Sequence, residues 1–132
     1  MKSIPDIIST VYLDSIGEVT KSRWVGSFQV KAIISNADRL AKARLYAKLM
    51  PPEGSSVEED DKIRAELIAQ LSVRVVSGPE FWSSSYGGQL LTDIDPLVDL
   101  LKLCQEATEN WNKQLNETAQ TQDGNVIVEP KV

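Results

Sequence analysis

The chain has 132 residues, 42% apolar and 25% charged, the balance of one globular domain able to bury about two-thirds of its unfolded surface. Fourteen basic against nineteen acidic side chains leave a net charge of −5, a field that repels nucleic acid and anionic lipid. Histidine is absent, which removes the commonest neutral-pH proton shuttle and metal ligand, and the single Cys104 excludes an internal disulfide or a cysteine-rich zinc site.

The opening MKSIPDIISTVYLDS breaks its apolar run with Pro5, Asp6, Ser9 and Thr10, unlike a secretory signal. No stretch reaches the roughly 18 apolar residues that span a bilayer, so a cytosolic protein without membrane partners is expected. Residues 7–14 are rich in β-branched and aromatic types and predict a strand. SIGEVTKSR follows as a loose connection around Gly17. WVGSFQVKAI then alternates, with Trp24, Phe28 and Val30 facing one way and Ser27, Gln29 and Lys31 the other. Gly26 falls on the apolar side, where its missing side chain leaves room for a neighbouring ring or a bend. The two segments predict an antiparallel β-hairpin.

Ser35 followed by Asp38 has the form of a helix cap, and Pro51-Pro52 stops the helix that it opens, predicted over 36–50. Its apolar residues form no single stripe. Leu40, Ala43, Ala47 and Met50 lie on one side, while Leu45, Tyr46 and Leu49 cover another, so this helix calls for two partners. Ser56 with Glu59 gives a second capping box, and Glu58, Glu59, Asp60 and Asp61 favour the positive end of a helix dipole. Ile63, Leu67, Leu71 and Val75 continue that helix at four-residue spacing. Its last segment, SVRVV, is β-branched, and ends as a frayed turn or as extended chain before Gly78-Pro79. GPEFWSSSYGGQLLTD reads as a long connection, functional or packed on itself. Asp95 as cap and Pro96 open the final helix, whose stripe runs through Leu97, Leu101, Cys104, Thr108, Trp111 and Leu115, together with Leu100 and Ala107. Beyond residue 117 the sequence turns polar. A single α+β domain over 1–117 is expected, a hairpin ahead of about three helices, with a flexible tail over 118–132 in which NVIV is a weak candidate for a sheet edge.

Chemistry-bearing patterns are few. Ser83, Ser84 and Ser85 cluster, but no histidine is available as base and no SxxK spacing occurs in the loop. Asp93 and Asp95 can offer oxygens to a cation, yet no third carboxylate stands close in sequence and a cap explains them. No phosphate loop is present. The expectation is a protein that is not an enzyme and needs neither cofactor nor metal. Cys104 sits in an apolar stripe as a small hydrophobe.

Charge is unevenly distributed. Residues 1–50 carry eight basic and four acidic side chains, whereas residues 51–132 carry six basic and fifteen acidic ones. Arg39, Lys42, Arg44 and Lys48 place the positive side on the first helix. Such a dipolar chain can associate head to tail, or meet a complementary partner. Phe81, Trp82 and Tyr86 are either anchors for a partner or a lid folded back over the core. The candidate partner-binding set is therefore Trp24, Phe28, Arg39, Lys42, Leu45, Leu49, Phe81, Trp82 and Tyr86.

Two stretches together resemble a known family. LDSIGEVTKSRWVGSFQVKAIIS presents a glycine-bearing hairpin leading to an aromatic–x–Gly–x–Phe–x–Val–Lys strand. LIAQLSVRVVSGPEFWSSSYGGQLLTDIDPLVDLL presents a helix ending in Leu–x–x–Arg–Val–Val, then Gly-Pro, the paired aromatics Phe81-Trp82, and a capped last helix. Over about residues 12–115 the chain resembles the tail assembly chaperones of long-tailed bacteriophages. The resemblance implies a non-enzymatic factor of the host cytoplasm that binds the helix-rich tape-measure protein, keeps it soluble and helps to recruit tail tube subunits. It also implies absence from the finished particle and, often, a longer frameshifted companion. The alternative within the same biology is a neck or tail completion protein forming a ring in the virion. Further from it stands an acidic mimic of nucleic acid, which would use the negative later segment.

Overall fold

The computed structural model describes residues 5–51 and 56–122, the last five as helix backbone. The fold is α+β: a three-stranded antiparallel sheet of order β1-β2-β3 carries helices on its inner face. β1 (Ile8–Ile16) and β2 (Arg23–Lys31) form the expected hairpin, with Val11 opposite Phe28, Leu13 opposite Gly26 and Ser15 opposite Trp24. These residues make the inner face. The alternation seen in the sequence is thus the alternation of burial, with Leu13, Phe28 and Val30 all but sealed.

α1 (Asn36–Leu49) starts at the expected Ser35–Asp38 box. The Ser35 hydroxyl accepts from the Asp38 amide at 3.1 Å, and the Asp38 carboxylate accepts from the Ser35 amide at 3.1 Å. α2 (Glu59–Arg74) corrects the second box. Its cap residue is Glu58, in extended conformation and with no side-chain cap bond, so Ser56 lies two residues too early to serve. The acidic first turn remains, on Glu59, Asp60 and Asp61. The β-branched end of the segment is extended: β3 (Val75–Ser77) pairs with β2 through Val75 opposite Val30 and Ser77 opposite Gln29, with a register shift between.

The connection after Gly78 is not all loop. α3 (Glu80–Ser84) is one short turn of helix that drops Trp82 into the core. Gly26 receives the close neighbour that its position suggested, because an added Cβ would stand 2.6 Å from the Pro79 ring. α4 (Asp95–Gln122) runs five residues beyond the expected end at 117. Its stripe, Leu97, Leu100, Cys104 and Ala107, packs across the inner face of the sheet together with Leu67 and Leu71 of α2. Residues 123–132, with the NVIV segment, lie outside the described part. No described helix is long and apolar enough to cross a membrane.

Candidate partner-binding surface

The two ends of the core are fastened by polar clamps that join segments distant in the sequence. At the hairpin connection the buried Asp93 carboxylate gathers four donors. Its Oδ1 accepts from the amides of Val19 at 2.9 Å and Thr20 at 3.1 Å. Its Oδ2 accepts from the Thr20 hydroxyl and from Trp24 Nε1, the latter at 3.1 Å. These bonds, the Thr20 hydroxyl first, hold the Asp93 carboxyl below its usual range against the opposing effect of burial. Gly17 is obligatory beside it, since an added Cβ would lie 1.9 Å from the carboxylate.

Asp95 is not the cap of α4. The helix begins at Asp95 itself, and the Ile94 carbonyl takes the first amides, from Leu97 and Val98. The Asp95 carboxylate instead accepts from the Glu18 amide at 2.8 Å. Asp99 accepts from Ser15 at 2.7 Å. The Asp93-Ile94-Asp95 segment therefore holds a loop. Among the described residues no three acidic or cysteine side chains gather as a metal site. At the opposite end, Arg74 Nη1 donates to the carbonyls of Lys31, Ala32 and Cys104 and to the Thr108 hydroxyl, while Thr108 itself donates to Ala32.

The structure sorts the aromatic candidates into two groups. Phe28 and Trp82 are 1% and 7% exposed, with ring centroids 5.5 Å apart in an edge-to-face pair, so both leave the surface set. Their packing also explains the sequence signal, because an inward strand position and a one-turn helix bury aromatic rings without a long periodic pattern. Trp24 and Phe81 are half-buried, with centroids 5.0 Å apart, and Phe81 also meets Phe28 at 6.0 Å. Tyr86 alone stands well out, 70% exposed with a left-handed φ of 54°. The aromatic segment is mostly a lid on the core with one residue left free. Its serines bond to the chain's own backbone, Ser83 to Glu80, Ser84 to Phe81 and Ser85 to Trp82.

α1 is the opposite case. None of its 14 residues is buried, and it packs against α2 alone among the elements. Lys31 ties its start to β2 through Asp38 at 3.0 Å, an ion pair that holds Asp38 below its usual range. Leu45, Tyr46 and Leu49 are half-buried against α2, while Leu40 is 61% exposed. Grooves flank the contact on both sides. One of about 360 Å³ has Tyr46, Ile63, Leu67 and Leu101 in its walls, and one of about 400 Å³ has Leu49, Pro51, Ala65 and Ile68. Arg39 and Lys42 lie on the edge towards β2, beside Arg74. The sequence expectation of a helix apolar on two sides is met by a helix with one packing partner among the described elements.

The outer face of the sheet is also open, with Tyr12 at 60% and Ile16 at 65% exposure. No local pattern set these two apart from ordinary strand residues, because which side of a hairpin is covered depends on where the helices return. No family model, no curated protein sequence and no solved structure matches this chain.

Proposed function

We propose that this chain is a tail assembly chaperone of the long-tailed bacteriophage kind, acting in the host cytoplasm by binding and not by catalysis. It binds the tape-measure protein, keeps that client soluble during tail assembly and engages tail tube subunits. The observation that supports this reading is α1, a surface helix with apolar residues on two sides and no buried residue, flanked by two grooves that mix apolar and charged side chains. A helix-rich client offers the matching element, an amphipathic helix whose apolar side chains recur every three or four residues and lie into such a groove. Leu49 lines one of these grooves, Leu45 is half-buried on the same helix, Arg39 and Lys42 lie on its edge towards β2, and Tyr86 adds an exposed aromatic ring at another place on the surface.

Co-expression with a tape-measure protein tests the proposal. The client should move into the soluble fraction and co-purify, and Ile63→Asp should reduce both, since Ile63 lines one groove and, at 45% exposure, lies outside the core. Unchanged client solubility with nothing co-purifying refutes the reading. Finding the protein in purified virions replaces it with the ring-forming structural component.

A further inference from the structure

The α1–α2 hairpin carries opposite charges at its two ends. Where α1 begins and α2 ends, a cavity of about 240 Å³ is lined by the cations Arg39, Lys42 and Arg74, with Ile33, Ile34 and Val73 as apolar walls. Among the described residues no carboxylate lines it. Arg39 and Lys42 form no ion pair with any described residue, and Arg74 donates only to neutral carbonyls and a hydroxyl. The nearby acids are committed elsewhere, Asp38 to Lys31 and Glu66 to Gln70. Three like charges thus converge with no acid among the described residues to offset them.

At the other end of α2 the charges are reversed. Glu58, Glu59, Asp60 and Asp61 are exposed, and their contacts are loose pairs one helical turn away, Lys62 to Glu59 at 4.0 Å and Arg64 to Asp61 at 3.9 Å. The 16 residues of α2 separate the two ends by about 24 Å at about 1.5 Å per residue. That exceeds the Debye length of about 8 Å at physiological salt, so the ends do not neutralise one another within one chain.

We infer that the cationic cavity receives the acidic first turn of α2 from a second copy of this chain. A glutamate suits the lining. Its methylenes lie on Ile33, Ile34 and Val73 while its carboxylate meets the guanidinium and ammonium groups, a match that a compact inorganic anion does not make. The contact joins different surfaces on the two copies, so it repeats head to tail and builds a ring or a filament. The inference does not rest on the chaperone reading, because self-association is measured without a client.

Sedimentation of the full chain tests it. The wild type associates with rising concentration at about 0.1 M salt and dissociates at about 1 M, where the Debye length falls from about 10 Å to about 3 Å. Arg39→Glu with Lys42→Glu, and separately Glu59→Lys with Asp60→Lys, each weaken association by about tenfold or more. An equimolar mixture of the two variants associates again, since each supplies the charge that the other reversed. Arg39, Glu59 and Asp60 are exposed and Lys42 is half-buried, and an unchanged far-ultraviolet dichroism spectrum verifies the fold of each variant. A wild type that stays monomeric at low salt, a variant that associates as before, or a mixture that fails to recover overturns the inference.

Discussion

Replacing Phe28 with alanine is the sharpest trial of the packing described here. The ring is 1% exposed on the inner face of β2, in edge contact with Trp82 at 5.5 Å and Phe81 at 6.0 Å. Truncating a sealed phenylalanine removes its transfer free energy and leaves a cavity, together about 3–5 kcal/mol. The two ring pairs, worth about 0.5–1.5 kcal/mol each beyond area, put this site in the upper half of that range. A domain of this size has roughly 6–18 kcal/mol in all, so the variant folds but keeps a reduced margin. At about 3–5 °C per kcal/mol, a loss of about 4 kcal/mol lowers Tm by about 12–20 °C. Urea unfolding followed by tryptophan fluorescence measures the change directly. Phe28→Leu, which keeps much of the volume but loses both ring pairs, should cost about 1–2 kcal/mol. Tyr86→Ala, at a residue 70% exposed, should stay within about 0.5 kcal/mol of the wild type. A Phe28→Ala cost below about 1 kcal/mol, or one matched by Tyr86→Ala, would mean that the aromatic segment does not close over the sheet.

Two further outcomes follow from titrating groups. Asp93 is held below its usual range in the fold, so its contribution is present above the unfolded carboxylate value and is lost as pH falls through the folded one; Asp93→Asn should flatten the acid limb of a stability–pH profile. Asp14 beside Arg23 and Asp38 beside Lys31 are lowered too and remain in the variant, so the limb shrinks without vanishing, and an unaltered limb refutes the clamp. Burial pushes the Cys104 thiol up to about 11 despite the opposing charge of Arg74, so native protein should resist alkylation at about pH 8 and react only on unfolding. The same shift makes stability fall as pH rises from about 9 towards 11, because the unfolded thiol ionises first.

The elements that were legible in the sequence are those whose signals are local. The Ser35–Asp38 box, the alternation of β2 and the four-and-three spacing of α4 each depend on neighbours a few residues away, and each holds in the fold. The Ser56–Glu59 pattern has the same local form yet fails, since a capping box is a permitted start and the acidic turn allows another one two residues on. Asp93 is open to reading as a turn residue ahead of a cap or as a cation ligand. Its actual partners lie 69 to 74 residues upstream, in a connection with no pattern that points to it. Arg74 and Thr108 were hidden for the same reason, their acceptors being backbone atoms of a different element. In the candidate surface, the charge and two-sidedness of α1 were visible, whereas the burial of Phe28 and Trp82 depended on where α3 returns.

The placement of the clamps bears on where a partner can act. The sheet, α3 and α4 are joined by buried rings and by a carboxylate with four donors, so disturbing any one of them opens the core. Among the described residues α1 has no such ties beyond its cap, the Lys31–Asp38 pair and its contact with α2, so it belongs to the least stable part of the described fold. A surface used for binding is best drawn from that part, because contact with a partner then adds stability where the chain lacks it and leaves the core undisturbed. The cationic end of the α1–α2 hairpin extends the same logic from geometry to charge: Arg39 and Lys42, which pair with no described acid, lie on the helix that the core holds least firmly.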